Sequence, residues 1–581
     1  MARVLILEPR PAVAELLVRH LRASPAVEGA DVVAFARGRR GRPLPPPDLP
    51  ALLRQEGSDT VVFSPWAMKA AAPDLAEVEA AFLALVRAGV RRAVVLSSAS
   101  VYGPNPHNPG LVSEGRLTLR HRHNPIAAGW LALEALARRH LARGAGAALT
   151  VLRPAALPLA DDLSPLGALL HRRLAFPVLG HDPSVQLLAP DDLARAVCRA
   201  LEAGATGVFN VAPDGVIPLR QALRLAGVRS LPLPYLLQRL LRAAAATLGL
   251  AAPPAALDYL RYNWTVSGAK IKTEAGLVLQ RASATAIADA VPERASAPER
   301  HRSYDDFGLD EEYFAARGRD VARLLRRYWR LEHRGLENVP RRGAAVLVGV
   351  HRGFMPWDGV LTAHLVAEER GRVPRFLIHP GLVKFPFLHD FITKHGGAIA
   401  CQENADHLLR RGDLLAIFPE GIHGAFALYR DAYRLGSFGR NDYVRMALRH
   451  RAPIIPFVTL GSAEAFPILA KVEGPVGRWW KRYAEWPFIP VTPPLPLPSK
   501  WHMQFLPPLD VGARYPPEAA EDEGVVRAVG AEVRGRIEET LTWMRRRRPS
   551  LFYGSIFDDG PAPSAAGWPA AGSEVSVREA G

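Results

Sequence analysis

The sequence predicts an α/β protein built from two fused domains: a Rossmann-like, doubly wound parallel sheet followed by a second α/β domain. Three observations carry this. Strand and helix signals alternate over residues 1–290, a rhythm that places helices on both faces of a parallel sheet. Residues 291–303, VPERASAPERHRS, have the composition of a linker. Beyond it, two apolar strand-type runs, Val346–Val350 and Leu414–Phe418, each break into residues that can do chemistry. A chain of 581 residues is long enough to bury two cores.

In the first domain, 1–290, Val4–Leu7 reads as a strand and Val13–Arg22 as a helix. Further strands are expected at Val32–Phe35, Thr60–Phe63 and Ala93–Leu96, with helices at Leu75–Ala88 and Gly129–Leu141. SSASVYG (Ser97–Gly103), LRPAA (Leu152–Ala156), PDDLARAV (Pro190–Val197) and GVFNVA (Gly207–Ala212) follow this framework.

Through those motifs, residues 1 to about 285 resemble the extended short-chain dehydrogenases, the NAD-dependent epimerase and dehydratase type. The resemblance implies a Rossmann-like fold, yet the residues that run such chemistry are missing. The three glycine positions of a phosphate-binding loop hold Glu8, Pro11 and Ala14. Glycines there let the backbone approach a pyrophosphate; Glu8 instead brings a negative charge, and Pro11 lacks an N–H. The Tyr and Lys of the family's Tyr-x3-Lys pair fall at Ile126 and Trp130. Ser98 alone matches a catalytic position, and without the Tyr it reads as a polar strand end, with Tyr102 as a packing residue. The expectation is a fold without its catalytic function, with NAD(P) not bound. The alternatives are a working NAD(P)-dependent sugar-nucleotide epimerase or reductase joined to the second domain, and a non-catalytic lipid-binding scaffold in which neither half is active.

Residues 231–257 form an apolar, basic-flecked helical stretch that suits either a membrane interface or a helix packed in the first domain. The second domain, 304–550, opens with an amphipathic helix near Asp320–Arg330. Val321, Leu324, Leu325, Tyr328 and Trp329 share one face, which can dock on the core or on lipid.

In VLVGVHRGFMPWD (Val346–Asp358), His351 follows the apolar run and Asp358 lies seven positions later. A neutral imidazole can take a proton from an alcohol near neutral pH. A carboxylate on its other ring nitrogen fixes the tautomer and stabilises the imidazolium. No G-x-S-x-G elbow is present, so the pair implies a substrate hydroxyl that attacks directly, unless the two residues meet only as loop neighbours. From about Tyr328 to Asp510 the sequence resembles the glycerolipid acyltransferases, of the lysophosphatidic acid and monoacylglycerol type. The resemblance rests on RGLENVP (Arg334–Pro340), the His and Asp, FPEG (Phe418–Gly421) and APIIPF (Ala452–Phe457). It implies that His351 and Asp358 are catalytic and that Phe418, Pro419, Glu420 and Gly421 bind the acceptor. Acyl-CoA or acyl carrier protein would be the donor, with no metal or redox cofactor. Two departures stand out. Six residues, where the family usually has four, separate His351 from Asp358, and the block that usually carries a phosphate-binding Arg reads GGAIACQENADHLL (Gly396–Leu409). An uncharged lipid acceptor is therefore expected. Arg430 and Arg434 can supply a cationic wall for phosphates or form a solvated face.

The net charge of +16 fits anionic lipid headgroups or an arginine-rich composition. Recognition patterns for nucleic acid are missing. Cys198 and Cys401 lie far apart and imply a reduced compartment. With no signal-peptide pattern and no apolar run long enough to span a bilayer, the expected location is cytoplasmic, peripherally bound to an anionic membrane. Trp479, Trp480, Tyr483, Trp486 and Trp501, interleaved with Lys481, Arg482 and prolines, suit that interface or a packed proline-rich loop. Residues 523–547 read as helix, and the Ala/Gly/Pro/Ser-rich tail, 556–581, as disordered.

Overall fold

The structure is a computed structural model that describes residues 2–32, 36–37, 43–44, 58–69, 72–116, 124–247, 253–292 and 304–557. Most of the expected linker and nearly all of the tail lie outside these residues. Contacts divide the chain into two compact units, one of residues 1–310 with 385–393 and one of residues 311–384 with 394–581.

The main sheet of the first unit has strands β1 (Ala2–Leu7), β2 (Val27–Val32), β3 (Thr60–Phe63), β4 (Arg92–Leu96), β5 (Ala148–Pro154) and β6 (Gly207–Val211). Their order is β2-β1-β3-β4-β5-β6, and every pairing is parallel. The sheet is Rossmann-like. Its central strands are apolar and buried along their length, as a sheet covered on both faces requires. The helix Pro11–Arg22 begins with Pro at its first turn, where a missing N–H costs nothing. The strand expected at Val32–Phe35 instead ends at Val32; residues 33–35 lie outside the description. The helix expected from Gly129 starts four residues earlier, at Pro125. Asn124 caps it, its side chain accepting from the Ile126 N–H at 3.0 Å.

The second unit is built on strands β7 (Glu332–Arg334), β8 (Ala345–Gly349), β9 (Arg375–Ile378), β10 (Ala398–Ile399), β11 (Leu414–Ile417), β12 (Ile454–Leu460) and β13 (His502–Phe505). Their order is β7-β13-β12-β8-β11-β9-β10, with only the β12–β13 pair antiparallel. The amphipathic helix, Arg319–Tyr328, buries only Ala322. Val321, Leu324 and Tyr328 are exposed, so its apolar face does not dock fully on the core. Trp329, just beyond it, is the true anchor: its ring is buried and stacks on Trp501 at 4.4 Å.

Candidate functional site

The register of the second sheet brings the two reactive stretches together. β8 and β11 are parallel neighbours, with Val348 opposite Ile417. Their carboxyl ends therefore release His351 and Phe418–Gly421 side by side, in the crevice where open α/β sheets place ligands. Gly349, the last residue of β8, faces the Phe457 ring so closely that a Cβ would lie 2.3 Å from it. A larger residue there would push β8 off β12.

His351 Nδ1 lies 2.7 Å from Asp358 Oδ2. Asp358 is fully buried and sits in the first turn of the helix Trp357–Arg370. The helix N-terminus favours a carboxylate there, and the Gly359 N–H donates to its other oxygen at 2.8 Å. Both oxygens are thus held, and the imidazole is presented with Nε2 as its remaining nitrogen. The six-residue spacing fits this geometry: the loop Arg352–Pro356 turns through Gly353, at φ +94°, where a Cβ would meet the Ser462 carbonyl at 2.6 Å.

The FPEG stretch is placed as follows. Phe418 packs against the His351 ring with centroids 5.2 Å apart and against Phe376 at 5.4 Å. Its carbonyl accepts from the Gly421 N–H at 2.8 Å across Pro419 and Glu420, a turn that Gly421 closes at φ +57°. Glu420 is buried and turned inward. Arg352 Nη2 donates to its Oε1 at 2.8 Å, and Nη1 lies 2.6 Å from Oε2. The Gly436 N–H also donates to Oε1.

Arg352 is the residue that sequence reasoning missed. It is buried, and besides Glu420 it donates to the carbonyls of Ala432 (2.6 Å), His351 (3.1 Å) and Arg434 (3.0 Å). It thereby ties three segments around the imidazole: the loop after β8, the turn after β11 and the segment 432–436. The available signal was an Arg directly after His351 and an FPEG glutamate with no assigned cation. The side chains of Arg430 and Arg434 stand apart from this cluster. They are 78% and 85% exposed and, among the described residues, lie beside Asp431, at 3.4 and 3.6 Å.

Aromatic rings lead away from the site. Phe354 meets Phe426 (5.8 Å) and Trp486 (5.4 Å), and Trp486 meets Trp480 (5.7 Å) on the helix Gly474–Ala484. Trp486 and Trp501 are buried, whereas Trp479 is 62% exposed and stacks on Tyr483. The aromatic segment is therefore part exposed and part packed.

In the first unit the corresponding strand end carries a charged pair. After β1, Glu8 and Arg10 form a buried pair, with Nε–Oε1 at 2.7 Å and Nη2–Oε2 at 2.8 Å. Arg10 also lies 3.8 Å from an Asp162 oxygen and 3.5 Å from the Ser64 hydroxyl. Burial pushes the Asp162 carboxyl up to about 6, against the opposing pull of Ser164 and Arg10. Burial also works against the Arg10 charge, yet Glu8 and Asp162 hold its pKa above the ordinary value. Ile126 and Trp130 are buried in the core. Ser98 caps the next turn by accepting from the Ser100 N–H, and the buried Tyr102 hydroxyl donates to Asn210 at 2.7 Å.

The Acyltransferase family profile matches residues 330–460, the segment that holds His351, Asp358 and FPEG. An uncharacterised protein of Mycobacterium tuberculosis (strain ATCC 25618 / H37Rv) is 36% identical over 264 residues, 43% of this chain and 72% of that protein. The chain belongs to the acyltransferase family. Phytyl ester synthase 1, chloroplastic, of Arabidopsis thaliana is 25% identical over 254 residues, 39% of this acyltransferase and 36% of that protein. Among solved structures, the DesIV dTDP-glucose 4,6-dehydratase of Streptomyces venezuelae is similar at 18% identity and a TM-score of 0.38, over 50% of the acyltransferase chain and 96% of its own. Among the described residues, no helix is long and apolar enough to cross a membrane, and no group of three or more His, Cys, Asp or Glu side chains is arranged to hold a metal ion.

Proposed function

We propose that the acyltransferase moves a fatty acyl group from a thioester donor, acyl-CoA or acyl carrier protein, to the hydroxyl of an uncharged lipid alcohol. The observation that carries this reading is the His351–Asp358 pair, with Nδ1 engaged by the carboxylate and Nε2 left for the acceptor. In the proposed reaction Nε2 takes the hydroxyl proton as the oxygen attacks the thioester carbonyl. The tetrahedral intermediate collapses, the C–S bond breaks, and the leaving thiolate takes the proton back from the imidazolium. The products are an ester and a free thiol, and His351 returns to its starting state. Asp358 keeps the tautomer and stabilises the transient imidazolium. Glu420 and Arg352 act by holding the walls of the site, while Phe418 and the turn through Pro419 and Gly421 border the acceptor.

Two features favour an uncharged acceptor. The buried cation beside His351, Arg352, is already committed to Glu420 and three carbonyls. Arg430 and Arg434 are solvated and lie beside an acid. The similarity to a phytyl ester synthase adds long-chain alcohols to monoacylglycerols as acceptors to assay. Lipids of either kind reside in a bilayer, and the exposed Trp479 and Tyr483, with Lys481 and Arg482 on the same helix, suit an anionic membrane surface. The first unit, in this reading, binds no dinucleotide: Glu8 and Arg10 occupy the crevice where its phosphates would lie. The deciding experiment is acyl transfer by purified protein with a panel of acyl thioesters and alcohols, read by mass spectrometry. His351→Ala should lower turnover by about 10²–10⁴-fold, and Asp358→Asn by a large part of that. A folded His351→Ala variant with near-normal turnover would refute the mechanism.

A further inference from the structure

The helix Tyr235–Thr247 of the first unit is turned inside out. Leu236, Leu237, Leu240 and Leu241 recur at i, i+1, i+4 and i+5, a stripe about 140° wide. An ordinary surface helix would bury that stripe. Here Leu236 and Leu240 are 71% and 70% exposed, and Leu237 and Leu241 are exposed beside them. The inward face instead carries Gln238, which is buried and donates to the carbonyls of Pro177 (3.0 Å) and Leu233 (3.1 Å). The outward orientation is therefore fixed by hydrogen bonds.

The stripe continues onto the neighbouring backbone. Leu174–Ala175 pairs in parallel with Arg229–Ser230, and Val178 bridges to Leu233, just ahead of the helix. Leu174, Phe176, Leu179 and Leu231 on these two segments are exposed as well. A contiguous apolar surface of this kind marks an interaction site.

Charge identifies the occupant. The segments 163–181 and 229–247 carry Arg172, Arg173, Arg229, Arg239 and Arg242 and no Asp or Glu. The nearest acid of the adjoining turn, Asp258, is engaged by the Tyr235 hydroxyl at 3.0 Å. Leucines bounded by arginines, on a helix that over its described residues is too short to span a bilayer, match the boundary between anionic headgroups and acyl chains. We propose that this face of the first unit docks the protein on anionic bilayers, the helix lying in the plane of the interface. The unit then serves as a membrane-binding module. This goes beyond the acyl transfer proposed above, and its test requires no turnover.

The test is co-sedimentation of the full-length chain with vesicles of phosphatidylcholine alone or with one third phosphatidylglycerol, together with sedimentation equilibrium without lipid. Partition onto the anionic vesicles should exceed that onto neutral ones by more than about tenfold and fall with added salt, since each arginine near such a surface adds a several-fold preference. Leu236→Gln/Leu240→Gln/Leu241→Gln should lose at least about tenfold in partition, because three inserted apolar side chains are withdrawn from the interface. Arg172→Gln/Arg239→Gln should lose most of the preference for anionic vesicles while keeping the wild-type circular dichroism spectrum. Wild-type partition by the leucine variant, or an undiminished anionic preference in the arginine variant, would overturn the proposal. So would a lipid-free dimer that the leucine variant converts to monomer, since the face would then be covered by a second copy. Binding abolished by Trp479→Ala but untouched by the leucine variant would move the docking surface to the other unit.

Discussion

Glu420→Gln is the most informative single substitution in the acyltransferase site, because two roles for Glu420 predict different outcomes. The change keeps the shape and an acceptor for the Gly436 N–H but removes the charge facing Arg352. Deleting one partner of a buried pair costs about 3–5 kcal/mol, since it leaves the other charge buried and uncompensated. Arg352 retains three carbonyl partners, at 2.6, 3.0 and 3.1 Å, so the lower end, about 3 kcal/mol, is expected. At roughly 2–4 °C per kcal/mol for a unit of this size, the corresponding thermal transition should fall by about 6–12 °C. Turnover should fall with it at temperatures where the variant remains folded, because the loop carrying His351 loses its clamp. Differential scanning calorimetry and acyl-transfer kinetics on the same preparations read both effects. An unchanged transition with a raised KM for the acceptor alone would refute the clamp and return Glu420 to direct acceptor binding. Replacing both partners, as Arg352→Met/Glu420→Met, should be less harmful to stability than Arg352→Met alone.

Three further outcomes are expected. In side-by-side assays a monoacylglycerol or long-chain alcohol should be preferred over lysophosphatidic acid, because the charge-assisted contact a phosphate needs is worth about 1.5–3 kcal/mol and the buried cation beside His351, Arg352, is already engaged; a clear preference for lysophosphatidic acid would reverse this. Isothermal titration of the full chain with NAD(H) and NADP(H) should give no binding in the micromolar range, and acyl transfer should not respond to either; micromolar binding would reopen the crevice of the first unit. The Asp162 carboxyl titrates at about 6 when folded against 3.8 in an ordinary setting, so its contribution to stability is full below about pH 4 and is lost as pH rises through about 6. Asp162→Asn should flatten that fall in the stability difference from wild type, measured by urea unfolding between about pH 4 and pH 7; parallel pH profiles would show that Asp162 is not desolvated.

What the sequence disclosed followed from what is local. β3 and the helix Glu523–Arg547 lie where composition and periodicity put them, since apolar alternation and capping act over a few residues. The His351–Asp358 pair was legible because seven positions place strand end and helix start within one loop. The helix at Pro125 begins ahead of its expected start. Asn124 and Pro125 form an ordinary cap and first turn, but Ile126, Ala127 and Ala128 supply no polar face to mark the turn as helical. Arg352 could not be assigned, because its distant partners come from 68 to 82 positions away, and only the parallel pairing of β8 with β11 brings them together. The leucine stripe of Tyr235–Thr247 was visible as a pattern, but its direction depends on Gln238, whose bonds to Pro177 and Leu233 set the rotation of the helix. Amphipathicity specifies that a helix has two faces; it does not specify which one the core receives.

The two sheets show one architectural site used in opposite ways. A parallel sheet leaves a crevice beyond the carboxyl ends of its strands, and a chain can fill it or keep it for a ligand. In the acyltransferase unit, the ends of β8 and β11 hold His351 and the FPEG turn, and the charged pair Arg352–Glu420 is set beneath them, so that the imidazole remains available. In the first unit the end of β1 carries the pair itself: Glu8 and Arg10 bond to each other and, in the proposed reading, take the place of a phosphate and its glycines. Substituting Glu8 with Gly would not restore a dinucleotide site, because it would remove the closest partner of the buried Arg10 and leave Pro11 without an N–H donor. On that reading the loss of redox chemistry is built into several coupled residues. It frees the outer surface of the unit, where the leucine and arginine face lies, from any need to move or open around a cofactor.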